Sequence, residues 1–153
     1  MKLQLIAVGR LRKGPERTLV DDYLDRFAKV GRGVGLPPVS MVEVEAKGGM
    51  GPEAAVIDRA LAPGAAMVLC DERGKQMTSP DFAARIGDWR DGACDVAFVI
   101  GGADGLDAGL RARADLAIGF GTMVWPHMLV RVMLAEQLYR AASILAGSPY
   151  HRV

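Results

Sequence analysis

The sequence predicts an α/β fold, a mostly parallel sheet with helices on both faces, and three observations carry that expectation. Leu3–Val8, Ala65–Cys70 and Val96–Ile100 are near-continuous apolar runs of strand length, without the polar alternation of a sheet that keeps one face in water. Segments with helix-start signals and apolar residues at helical spacing separate them, so strands and helices alternate along the chain. Glycine-rich or polar loops follow the carboxyl ends of the buried runs, which is where open α/β sheets hold ligands.

Lys2–Val8 is the first strand, ended by Gly9. Gly14-Pro15-Glu16 opens a helix in which Leu19, Val20, Tyr23, Leu24 and Phe27 repeat at helical spacing and make one apolar face. Residues 31–38 form a connection, because their glycines do not follow a dinucleotide or P-loop spacing and prolines stand where a helix would have to begin. Val39–Ala46 is a strand, Lys47–Gly51 a flexible segment, and Pro52–Leu61 a helix with proline in its first turn, closed by Pro63-Gly64. Ala65–Cys70 is a buried strand followed by the polar loop Asp71–Lys75. Ser79 is the expected N-cap, and Pro80 the first-turn proline, of a helix that carries Phe82, Ile86 and Trp89 and stops at Gly92. Then come the strand Val96–Ile100, the turn Gly101–Gly105, a helix over Leu106–Ala114, a short strand Leu116–Phe120, an irregular loop Gly121–His127 and a long helix, Met128–Ala146.

A chain of 153 residues has the length of one domain, expected here over 1–153, and is long enough to bury a sizeable core. Half of it is hydrophobic and 24% is charged, which excludes a disordered chain. The formal net charge is +1, so any affinity for nucleic acid has to come from local clusters of basic residues. The first apolar run is too short for a signal peptide, and Arg10, Arg12 and Lys13 follow it at once; no window is long enough to span a bilayer. Cys70 and Cys94 lie in or beside apolar runs without metal-ligand spacing around them, so both are expected to be reduced core or near-core residues of a cytoplasmic protein with no metal site. No internal repeat or linker composition interrupts the chain.

Three loops therefore gather the candidate chemistry: Asp71–Lys75, Gly101–Gly105 and Gly121–His127. Paired glycines after a buried strand permit positive φ and let a ligand approach exposed backbone N–H groups, so Gly101 and Gly102 are expected to cradle one, although a tight turn without a ligand has the same pattern. The last helix is apolar on most of its circumference, through Leu129, Val130, Val132, Met133, Leu134, Leu138, Ile144 and Leu145. Such a helix needs cover on more than one side. A second copy of the chain is the expected cover, with Leu134 or Leu138 at the contact, and a central core helix is the alternative. Glu136 and Arg140 are spaced to pair along one face, whereas Arg131 has no acidic residue four positions away and is expected to be free for a ligand or an RNA phosphate.

These residues also carry a resemblance. The run from Trp125 through Val132, then Glu136-Gln137-Leu138-Tyr139-Arg140-Ala141, then Pro149-Tyr150-His151 resembles the C-terminal signature of the RlmH family of SPOUT methyltransferases. The turn Ile100–Leu106 and the opening Met1–Gly9 are similar to that family as well, so the resemblance covers essentially the whole chain. It implies a homodimer that uses S-adenosylmethionine to methylate N3 of a pseudouridine in a hairpin loop of large-subunit ribosomal RNA, free or within the large ribosomal subunit or assembled ribosome. It also implies a C-terminal trefoil knot, which general topological rules would not have suggested.

Carried over by motif, the resemblance implies a methyl-donor pocket from Cys70, Asp71, Gly101, Gly102, Thr122, Met123, Val124, Trp125, Pro126 and His127. Cys70 stands where the family usually has leucine, and Trp125 where it has a smaller apolar residue or phenylalanine. Methyl transfer from a sulfonium needs alignment and removal of the N3 proton, for which an imidazole is suited. The two histidines are His127, in the donor loop, and His151, in the tail. The resemblance favours the tail, so Tyr150 and His151, with Arg131, are the candidate catalytic residues, and the identity of the base is open. Arg10, Arg12, Lys13 and Arg17 near the N-terminus and Arg152 in the tail are the candidate RNA contacts. A non-catalytic RNA-binding module and a small nucleotide-binding enzyme are the two alternatives.

Overall fold

The computed structural model describes residues 1–152; Val153, the last residue of the tail singled out above, lies outside the described residues. The elements are β1 (Leu3–Val8), α1 (Pro15–Arg32), β2 (Val39–Val44), α2 (Met50–Ala60), β3 (Ala66–Gln76), α3 (Ser79–Asp91), β4 (Val96–Ile100), α4 (Ala108–Arg113), β5 (Leu116–Gly119) and α5 (His127–Leu145). The strands form one five-stranded sheet in the order β2-β1-β4-β3-β5, and every pairing is parallel.

The continuous apolar strands are explained by cover on both faces. Along β1, Leu3, Leu5 and Ala7 face a core made with Phe27 of α1, Phe82 and Ile86 of α3, and Leu134 and Leu138 of α5. The alternate residues Ile6 and Val8 face a second core with Ala54 and Ile57 of α2 and Leu110 of α4. All five residues of the central strand β4 are buried, and Phe98 meets the rings of Phe82 and Trp89 edge-on at 6.0 and 6.3 Å. Each fully buried aliphatic or aromatic side chain of this kind contributes about 1.5–3 kcal/mol relative to exposure.

Three local expectations are corrected by the packing. The N-cap of α3 is Thr78, whose hydroxyl accepts from the Asp81 N–H, and Ser79 instead donates to Gln137 of α5 at 2.7 Å. The segment expected as the loop Asp71–Lys75 belongs to β3: pairing with β5 breaks off after Cys70 and resumes at Lys75, so the intervening residues bulge out of the register. Gly74 allows this crossing, because a Cβ there would lie 2.5 Å from the Ile118 carbonyl carbon. Finally, α5 lies against α1, α3 and the sheet, so Leu134 and Leu138 are both 0% exposed inside their own chain and are not a surface for a second copy.

Candidate functional site

The bulged part of β3 after Cys70, the glycine turn after β4 and the loop after β5 line a cavity of about 620 Å³. Ile100, Leu106, Trp125, Pro126 and Val130 supply apolar wall, and Asp71, Arg73, Asp104 and Arg111 supply charge of both signs. Such a lining suits a ligand with a flat apolar body and polar ends.

The glycine turn is built differently from the sequence expectation. Neither Gly101 nor Gly102 has positive φ; the left-handed residue is Gly105, at φ 83°, and its N–H closes the turn onto the Gly102 carbonyl at 3.1 Å. Space, not dihedral freedom, requires glycine at the first two positions. A Cβ on Gly101 would lie 2.9 Å from the Gly105 carbonyl oxygen, and one on Gly102 would lie 3.1 Å from Glu53 Oε2 and 3.2 Å from Val8 Cγ1. The absent side chain of Gly102 thus makes room for a carboxylate of α2 behind the turn. That Glu53 oxygen is buried and has no hydrogen-bond partner among the described residues.

A further residue that the sequence reading missed, Arg111, shapes the same place. Arg111 of α4 donates from Nε to Asp71 Oδ2 at 2.6 Å, and the Asp71 side chain is only 6% exposed. The second Asp71 oxygen accepts from the Arg73 N–H at 3.1 Å, so the carboxylate holds the bulge of β3 to the last turn of α4. Forty residues separate Arg111 from Asp71, and no local pattern marks the pairing. Cys70 lines the cavity with its thiol pushed up to about 12 by burial, so it offers a wall and not a nucleophile.

The loop before α5 is held by Trp125, whose indole N–H donates to the Phe120 carbonyl at 3.0 Å. Met123 and Val124 are 72% and 77% exposed, and Met128 and Leu129 at the start of α5 continue the same apolar patch. The cavity wall includes Cys70, Asp71, Gly101, Gly102 and residues 123–127; Thr122 is exposed outside it.

The family model described as "Predicted SPOUT methyltransferase" matches residues 1–151. The chain belongs to the SPOUT methyltransferase family. Among relatives of this SPOUT chain, a protein of Paracoccus denitrificans called "Ribosomal RNA large subunit methyltransferase H" is 68% identical over 99% of both chains. One of the same name from Cereibacter sphaeroides (strain ATCC 17023) is 67% identical over the full length of both. The solved SpoU methyltransferase AviRb of Streptomyces viridochromogenes, in complex with the cofactor AdoMet, matches with a TM-score of 0.44 at 13% identity, over 91% of this chain and 57% of that one.

In this SPOUT chain Arg131 is not a free cation. It is 1% exposed, donates to Glu43 Oε2 at 2.7 Å and to the Gly9 carbonyl at 3.2 Å, and ties α5 to the ends of β1 and β2. Its missing local partner is replaced by one that the fold brings from the edge strand. Arg10, Arg12 and Lys13 are exposed in the loop after β1, at the same end of the sheet as the cavity. Arg17 is exposed as well, but donates to the Leu11 carbonyl and pairs with Asp21 at 3.6 Å.

The tail lies along the second half of α5, away from the cavity of its own chain. The Glu136–Arg140 pair expected from spacing forms at 2.6 Å and becomes a dock. Tyr150 donates its O–H to Glu136 Oε1 at 3.0 Å, packs at a tilt against Tyr139 with ring centres 4.4 Å apart, and lies under the Arg140 guanidinium at 4.9 Å. Burial, with the bond to Glu136, pushes the Tyr150 phenol up to about 12. Tyr150 is therefore a hydrogen-bond donor at neutral pH and does not serve as a base. Arg152 is exposed.

Proposed function

We propose that the chain is an S-adenosylmethionine-dependent methyltransferase, of class EC 2.1.1, that methylates N3 of a pseudouridine in a hairpin loop of large-subunit ribosomal RNA. The observation that carries this reading is the full-length identity of 68% to a relative named for large-subunit ribosomal RNA methylation. The site agrees in its chemistry. Apolar walls around Ile100, Leu106 and Val130 suit an adenine, with Trp125 and the Cys70 side chain filling positions where the family has other apolar groups. Asp71, on the cavity wall, is an acceptor for hydroxyl or ammonium groups. When bound, the donor supplies a methyl group on a positively charged sulfur; transfer forms one N–C bond and breaks one C–S bond, while the N3 proton leaves to solvent.

The protein's own part is to position the reactants and to exclude water. Gly101, Gly102 and residues 123–127 hold the donor, and the Asp71–Arg111 pair fixes the bulge of β3 that lines the cavity. The exposed patch of Met123, Val124, Trp125, Met128 and Leu129 is the contact between two copies in a homodimer. That contact lets the tail of one protomer, with Tyr150, His151 and Arg152, serve the cavity of its partner, since it lies away from its own. Arg10, Arg12, Lys13, Arg17 and Arg152 hold the phosphates of the RNA, in free RNA, the large subunit or the assembled ribosome. The whole chain acts as one unit in the cytoplasm, with the trefoil knot formed by its C-terminal third.

Calorimetry tests the donor assignment. S-adenosylmethionine and S-adenosylhomocysteine are expected to bind with a stoichiometry of one per chain, and NAD and FMN not to bind. Binding of NAD or FMN alone would turn the reading toward a nucleotide-binding enzyme, and binding of none of them toward an RNA-binding module.

A further inference from the structure

The tail contains a constraint on its histidine that the proposed reaction does not by itself require. Arg140 Nη1 lies 3.3 Å from Nδ1 of His151, and the other two Arg140 contacts, from Nε and Nη2, both end on Glu136 Oε1 at 3.0 and 2.6 Å. A guanidinium has five donors and no acceptor, so the nitrogen that faces it must present a lone pair. In a neutral imidazole only one nitrogen carries hydrogen. If Nδ1 accepts, the proton is on Nε2. Nε2 is buried and has no hydrogen-bond partner among the described residues. Glu136 keeps the guanidinium in place, and Tyr150 and Gln137 crowd the same carboxylate with donors at 3.0 and 2.9 Å.

We infer that His151 serves the reaction as a hydrogen-bond donor through Nε2–H and not as the base that takes the N3 proton, with Arg140 as the positioning residue that selects this tautomer. The inference rests on the tail being part of the methyl-transfer site. A base needs a free lone pair toward the proton it abstracts; here one lone pair is occupied by Arg140 and the other nitrogen already bears hydrogen. A donor has a use. Ring N3 of a uracil-type base is flanked by two carbonyl oxygens, and loss of its proton spreads negative charge onto them. An N–H aimed at one of these oxygens favours the deprotonated ring, as a preorganised donor does wherever charge develops. An unsatisfied buried N–H is a standing cost that such an acceptor relieves.

The tautomer is measured without substrate, by long-range 1H–15N correlation on the full chain labelled with 15N-histidine. In the neutral ring of His151 the proton is expected on Nε2, and Arg140→Met is expected to give a mixture of tautomers while His127 is unchanged. A proton on Nδ1 in the unaltered chain would overturn the inference and leave the proposed function standing. The role is measured by single-turnover methyl transfer to ribosomes that carry the unmethylated pseudouridine. His151→Gln keeps an N–H donor at the place of Nε2 and is expected within about tenfold of wild type, whereas His151→Phe is expected to lose about a hundredfold, the size of a missing oxyanion donor. Equal losses in the two variants would overturn the donor role. Absence of transfer by the unaltered chain would instead overturn the proposed function, and the tautomer would still be decided by the spectra.

Discussion

Arg131 and Glu43, 88 residues apart, meet at 2.7 Å, and the same Glu43 oxygen accepts the Leu11 N–H at 2.6 Å. One carboxylate of an edge strand therefore secures both the inner end of α5 and the loop that carries Arg10, Arg12 and Lys13. Removing the arginine leaves a partly buried carboxylate without its cation. Breaking such a pair from one side costs about 3–5 kcal/mol when it is fully buried. With the Glu43 side chain 27% exposed, the lower end, about 3 kcal/mol, applies to Arg131→Met. The expected result in urea unfolding is a large drop in midpoint with donor affinity kept in the folded fraction, and replacing Glu43 as well should recover part of the loss. An unchanged midpoint together with loss of RNA binding would return Arg131 to the role of a phosphate ligand.

The proposed dimer contact is tested by two substitutions on one helix. Leu129, 40% exposed at the start of α5, changed to Glu should give folded monomers in light scattering. Leu134→Glu buries a charge at a 0% exposed position and should unfold the chain. Folded dimers of the Leu129 variant would place the contact elsewhere.

Glycine spacing behind the donor cavity makes a graded prediction. Gly101→Ala meets backbone, the Gly105 carbonyl oxygen at 2.9 Å, and should destabilise the fold and abolish S-adenosylhomocysteine binding. Gly102→Ala meets the end of the Glu53 side chain at 3.1 Å and Val8 at 3.2 Å, so it should weaken binding less. Changing Glu53 to Ala in that background should restore part of the affinity in calorimetry. Equal effects of the two alanines would show that the Glu53 carboxylate is not what the Gly102 side encounters.

The strands were legible because sequence expresses burial directly: Val96–Ile100 is apolar throughout and is covered on both faces. The position of the cavity was legible for the same reason, since loops after buried strands gather at one end of a parallel sheet. Pairings made by the fold were not. Nothing near Arg131 points to Glu43, and nothing near Asp71 points to Arg111, so one residue looked free and the other looked like part of an open loop. The polar residues of β3 after Cys70 hid a strand continuation because β5 pairs with it beyond a bulge. The apolar circumference of α5 correctly signalled cover on several sides but could not say that α1, α3 and the sheet supply most of it.

The tail has a pH dependence with a definite sign. The Tyr150 phenol is raised from 10.0 to about 12 in the folded chain, chiefly by burial and then by its bond to Glu136. Docking of the neutral phenol therefore contributes stability that is full below about pH 10 and is lost as pH rises through about 12. In a tyrosinate absorbance titration, the step missing from Tyr150→Phe is expected near pH 12, and Glu136→Gln should lower it. A step near pH 10 would mean that the tail is undocked in solution.

The most direct measurement is transfer of an isotopically labelled methyl group from S-adenosylmethionine to ribosomes or large subunits that lack the modification, with the product located by mass spectrometry of the ribosomal RNA. The proposed function predicts one methyl group, on N3 of a single pseudouridine in a hairpin loop of the large-subunit RNA, and a rate orders of magnitude lower after deletion of Tyr150–Val153 with donor affinity unchanged. Methylation at another nucleotide, or donor binding without any transfer to ribosomal RNA, would contradict it.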